Sequence, residues 1–154
     1  MLPVNFLTDT SVLETSDAVA AIITTPSGRF LMQLRDDIPR IFYPGFWGCF
    51  GGGVGPGEDP AKALSRELRE ELEFSPDDFS RVLSLDFDLS SLGGRKNYRH
   101  YYLVRIGESD VDGFTLHEGA AMKLFTPEEL FALSNITPYD AFALWLFAAR
   151  GRLK

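Results

Sequence analysis

The sequence predicts an α/β (α+β) layered domain in which strands are interleaved with helices. Three observations point to it: apolar strand-type segments recur along the chain, helix signatures interrupt them, and no linker or repeat divides it. One domain over residues 1–154 is the simplest organisation, since that length buries roughly two-thirds of the chain surface. The first strand falls at residues 18–25, "AVAAIITT", and the "PSG" that follows turns it back into "RFLMQLR" at 29–35 as a hairpin. A third strand is expected over residues 46–54. The next helix opens with Asp59 as N-cap and Pro60 at the first helical position, and ends before Pro76. "RVLSLDFDL" and "YRHYYLVRI" alternate like strands, and "AMKLF" adds a short one. "TPEE" from Thr126 is a capping box, and a closing helix with an apolar flank follows from Thr137.

Composition narrows the function. Hydrophobic residues at 45% support a packed core, and a net charge of −7 argues against loose binding to a nucleic-acid polymer or an anionic membrane, both of which need clustered Lys and Arg. A phosphate-bearing partner therefore needs cations as intermediaries. Cys49 is the single cysteine, so no disulfide framework forms; with no signal-type or membrane-spanning run, the expectation is a soluble, cytoplasmic protein.

The helix after Pro60 carries the anomaly. At about 100° per residue, Glu67, Glu70, Glu71 and Ala63 fall in one sector, while Ala61, Leu64, Leu68 and Leu72 occupy another that can face a core. Like charges at this spacing repel by a few tenths of a kcal/mol each, more where water is scarce. A solvated face with Arg66 pairing Glu70 is the plain explanation. The glycine-rich "GGGVGPG" just upstream favours another, in which backbone approaches a ligand and carboxylates with a loop carbonyl hold a hard divalent cation.

Residues 52–74 resemble the Nudix box, in which a glycine, five residues, a glutamate and seven residues lead into an R-E-U-x-E-E-x-G-U run, U being a large apolar residue. Gly52, Glu58, Arg66, Glu67, Leu68, Glu70, Glu71 and Phe74 match at the family spacing, and Glu73 replaces the second glycine. The resemblance implies a Nudix-type α/β/α sandwich with a mixed β-sheet between helices, and a MutT-like hydrolase that cleaves the pyrophosphate of nucleoside diphosphate-X compounds with Mg²⁺ or Mn²⁺. It implies Glu67, Glu70, Glu71 and the Gly52 carbonyl as metal ligands, Glu67 as the group that activates water, Arg66 as the residue orienting a glutamate, and Glu58 as the salt-bridge partner of Arg66. Glu118, on a later loop, stands where many members carry a further acid near the metals. The change at Glu73 removes a residue that easily adopts positive φ, so the helix exit is expected to differ in shape.

Arg35 is a candidate for substrate phosphate, though it could equally pair with Asp36. Trp47, among Phe42, Tyr43 and Phe46, is a candidate for stacking on a base, although most such aromatics fill cores. His100 and His117 read as strand or surface residues and Cys49 as a small packed hydrophobe. A non-catalytic nucleotide-binding or regulatory module and a Nudix-scaffold isomerase are the alternatives. The unbroken Arg66, Glu67, Glu70 and Glu71 set disfavours the first, and the surroundings of Cys49 disfavour the second. "DLSSLGGR" lacks the proline associated with ADP-ribose and the tyrosine associated with dinucleoside polyphosphates, which tilts the expected nucleotide-type substrate towards nucleoside triphosphates or nucleotide sugars. A homodimer is left open.

Overall fold

The computed structural model describes residues 13–153. Strand β1 (Ala18–Thr24) lies at the centre of a mixed seven-stranded sheet because its small and branched residues can be buried on both faces. It pairs antiparallel with β2 (Phe30–Leu34) and parallel with β6 (Lys96–Arg105), which pairs antiparallel with β5 (Phe79–Asp88) at the edge. β2 continues to β3 (Trp47–Gly48) and β7 (Ala121–Phe125), and β4 (Phe50–Gly53) pairs with β1.

The period of two along β1 separates two cores. Val19, Ala21 and Ile23 pack with Leu64, Leu68 and Leu72 of helix α1 (Pro60–Leu72), while Ala20 and Ile22 face the opposite layer. That layer contains Leu130 of α2 (Pro127–Phe131) and Ala143, Leu144 and Phe147 of α3 (Pro138–Ala149). The hairpin, the three helices and the Thr126 capping box all follow the sequence reading. Among the described residues no helix is long and apolar enough to cross a membrane.

The single strand expected over residues 46–54 is instead two. β3 belongs to β2 and β4 to β1, because the Cys49 N–H between them leaves the ladder and donates to Asp140 Oδ2 at 2.9 Å. Gly51 makes the crossing feasible: its φ is +138°, and a Cβ there would lie 2.1 Å from the Val19 carbonyl oxygen. The crossing brings the glycine run of β4 against α1.

Candidate active site

Helix α1 is capped by Asp59, whose side chain accepts from the Lys62 N–H at 3.1 Å. Its three glutamates do not share one environment. Glu70 is exposed, Glu67 is partly buried, and Glu71 is 2% exposed. Ala63, expected beside the glutamates, is instead fully buried in the core with Leu64, Leu68 and Leu72. The helix is rolled so that Ala63 and Glu71, at the border of the polar sector, face the sheet.

Arg66 organises the outer part of the site. Its guanidinium forks onto Glu58, with Nε to Oε1 at 2.9 Å and Nη2 to Oε2 at 3.1 Å, and Nη1 donates to Glu67 at 2.6 Å and Glu70 at 3.3 Å. Nη2 also donates to the Gly53 carbonyl. The Arg66 hydrogen bonds hold the Glu58 carboxyl down to about 2, helped by the Gly55 N–H. Arg66 therefore makes both the pair implied by the motif, with Glu58, and the i,i+4 pair of the plain reading, with Glu70.

Glu71 is the inner group. Burial pushes its pKa to about 8, and nearby Glu118 and Glu67 add to the rise; the Gly51 N–H, donating to Oε2 at 2.9 Å, and Gln33 oppose it. Burial also raises Glu67, against the pull of Arg66. Gly52 faces Glu67 so closely that a Cβ would sit 2.5 Å from its carboxyl carbon. Glu118 arrives from the loop before β7. The His117 N–H donates to the Glu71 carbonyl at 2.9 Å and the Thr115 N–H to the Leu72 carbonyl at 3.2 Å, so this loop satisfies carbonyls left open at the helix C-terminus. Buried Gln33 donates to the Glu118 carbonyl at 2.7 Å and fixes the loop from the sheet side.

Among the described residues no three His, Cys, Asp or Glu side chains converge as a ready-made cation site. Arg66 draws Glu67 and Glu70 outward, while Glu71 is held on Gly51. The donor chemistry nevertheless fits a hard divalent cation, since the oxygens are carboxylate and backbone carbonyl and Glu71 is a buried acid held against other acids.

The helix exit keeps a left-handed form without its glycine. Glu73 sits at φ 53° and ψ 32°, its N–H donates to the Arg69 carbonyl at 3.0 Å, and its carboxylate meets His117 Nε2 at 2.6 Å. The expected change of exit shape is not seen at the cap itself. Phe74 packs on Phe114 with ring centroids 4.7 Å apart.

A cavity of about 480 Å³ adjoins Gly51, Gly52 and Gly53 and is lined also by Arg35, Phe42, Tyr43, Asn97, Arg99 and Tyr139. Arg35 does reach it, though its Nε donates to the Phe42 carbonyl at 2.7 Å rather than pairing with Asp36. Trp47 does not line it: its ring packs edge-on against Phe125 at 4.8 Å, and its backbone is tied to Asn135 and Thr137. His100 stacks on Tyr98, and Cys49 is buried in the α3-side core. Sequence reasoning missed the polar network behind Arg99, where buried Asp140 accepts from Arg99, Tyr101 and Thr137. A signal was present: Asn97 and Arg99 alternate with Tyr101 on one face of a strand that is otherwise apolar further on.

A family model for the NUDIX domain matches residues 14–146, and the chain belongs to that family. It is 39% identical over 69 residues to an RNA pyrophosphohydrolase of Gluconacetobacter diazotrophicus, covering 43% of this chain and 41% of that one. It is 44% identical over 54 residues to the nucleoside triphosphatase NudI of Escherichia coli, covering 35% and 37%. These matches span about two-fifths of the curated relatives' lengths. The solution structure of the Escherichia coli ORF135 protein superposes with a TM-score of 0.68 at 30% identity, over 91% of this chain and 94% of that one.

Proposed function

We propose that the protein is a metal-dependent pyrophosphohydrolase acting on nucleoside triphosphates, with nucleotide sugars as the second substrate class. The observation that carries this reading is Glu71, a buried acid pushed to about 8 beside two further acids and hydrogen-bonded to Gly51, which lines a cavity of about 480 Å³. The curated relatives named as a nucleoside triphosphatase and an RNA pyrophosphohydrolase support the same chemistry.

Glu67, Glu70, Glu71 and the Gly52 carbonyl are the residues that would hold Mg²⁺ or Mn²⁺, with Glu118 contributing from its loop. A divalent cation held there would neutralise diphosphate oxygens and lower the pKa of a bound water. Glu67 is suited to take the proton as water attacks phosphorus and the P–O bond breaks, releasing pyrophosphate from a nucleoside triphosphate or a sugar phosphate from a nucleotide sugar, because its pKa is raised while Arg66 keeps it oriented. Glu58 holds Arg66 in turn, and Arg35 lies where it can meet substrate phosphate. The cytoplasm, where nucleotides are abundant, is the compartment this reading assigns.

A panel of nucleoside triphosphates and nucleotide sugars at fixed Mg²⁺, with products separated chromatographically, tests the proposal. Turnover abolished by excess EDTA is the expected result; full turnover in EDTA, or none on any member, overturns it.

A further inference from the structure

Resting on the metal part of that reading, we propose that Glu73 is a positioning residue: by clamping His117 it holds the loop that carries Glu118 against the end of α1, so that affinity for a divalent cation depends on a side chain at the position where the Nudix box has glycine.

The starting point is a residue in an unfavourable conformation. Glu73 closes α1 at φ 53° and ψ 32°, in the left-handed region that glycine adopts freely and a residue with a side chain does not. Among the described residues its carboxylate meets His117 alone, accepting from the Nε2 N–H at 2.6 Å. Both side chains are well exposed, and a pair in that much water adds little to folding. Strain kept at a helix end with so small a return in stability points to a role in the neighbouring site.

The loop that Glu73 reaches is fixed from two sides. On the helix side the His117 N–H donates to the Glu71 carbonyl at 2.9 Å and the Thr115 N–H to the Leu72 carbonyl at 3.2 Å, with the His117 ring on Glu73 as the third tie. On the sheet side the Glu118 carbonyl accepts from Gln33 at 2.7 Å, and the Gly119 N–H donates to Asp36 at 3.2 Å. Gly119, at φ +94°, packs so closely on Gln33 that a Cβ there would lie 2.7 Å from Cγ. Glu118 is therefore the residue between two anchors, and its charge is felt by both Glu67 and Glu71. Acids brought together without a cation repel, so the loop is pushed outward unless it is tied. Of the ties on the helix side, only the Glu73 contact is made by a side chain. Releasing it leaves Glu118 to be drawn back when a cation binds, and the cost of that ordering is subtracted from affinity.

The test is isothermal titration of the metal-free full chain with Mn²⁺, which requires no hydrolysis. Glu73→Gly and His117→Ala are each expected to weaken binding about threefold to tenfold. The double variant should be no weaker than the weaker single, because both remove the same contact. Glu73→Gln loses the same charge but keeps an oxygen acceptor for the Nε2 N–H, and should stay within about twofold of the wild type. A merely structural role would have affinity follow Tm, whereas Glu73→Gly should bind more weakly with a Tm in EDTA equal to or above the wild type. Hydrogen exchange at the His117 N–H in EDTA should quicken in both single variants. Affinity unchanged in Glu73→Gly or His117→Ala, losses that add in the double variant, or Glu73→Gln as weak as Glu73→Gly would each overturn the inference. The expected shifts in a chain that turns over no nucleotide would sink the hydrolase reading and leave this one standing; turnover with variants that bind Mn²⁺ like the wild type would do the reverse. A wild type that binds no Mn²⁺ overturns both.

Discussion

Asp140 and Glu71 are buried acids on opposite sides of the sheet, and they are treated in opposite ways. Asp140 accepts from the Cys49 N–H, the Thr137 and Tyr101 hydroxyls and the Arg99 guanidinium, all within 3.1 Å. Glu71 receives a backbone N–H from Gly51 and faces acids rather than a cation. The protein neutralises the first charge with a built-in cation, whereas the second has no cation and burial holds it protonated. A buried acid with its cation built in holds structure together, and one without keeps a proton that a bound cation would have to displace.

The largest effect expected from breaking this contrast is on folding. Asp140→Ala leaves Arg99 buried without its counter-ion and frees two hydroxyls and an N–H, so urea denaturation should report a loss of about 3–5 kcal/mol. Glu71→Gln should do the reverse, with stability in EDTA unchanged or improved while kcat with Mg²⁺ falls at least about tenfold. The pH dependence follows from the same group. The folded state holds a proton on Glu71 that the unfolded chain releases, so this contribution is full below about pH 4.5 and is lost as pH rises through about 8. Melting curves in EDTA across that window should fall for the wild type, and more shallowly for Glu71→Gln. Glu73→Gly relieves a left-handed residue at the cost of the His117 contact and should raise stability by about 0.5–1 kcal/mol. Smallest of all, Trp47→Phe should leave KM within about twofold, because the ring is packed on Phe125 and does not line the cavity.

Local signals were legible in the sequence because they act over a few residues. Asp59 and Pro60 mark the start of α1, Thr126 and Glu129 form the capping box, and the alternation in β5 and β6 appears as strands. The Glu58–Arg66–Glu67 chain was implied by the resemblance of residues 52–74 to the Nudix box, whose positions lie along one loop and helix. What was not readable depends on partners distant in sequence. The split of residues 46–54 into β3 and β4 is caused by Asp140, about ninety residues on, and the burial of Glu71 depends on how α1 rolls onto β4 and on the loop that brings Glu118. Asn97 and Arg99 look like ordinary polar strand positions until the cavity above them is seen.

The central claim is that the Glu71 cluster awaits a divalent cation, and a Mg²⁺ titration of Tm at pH 8 on wild type and Glu71→Gln tests it most directly. The wild type should rise steadily with Mg²⁺ as metal binds the folded state, and Glu71→Gln, starting equal or higher in EDTA, should respond much less. A wild-type Tm indifferent to Mg²⁺ and Mn²⁺, or a variant that responds as strongly as the wild type, would contradict the account.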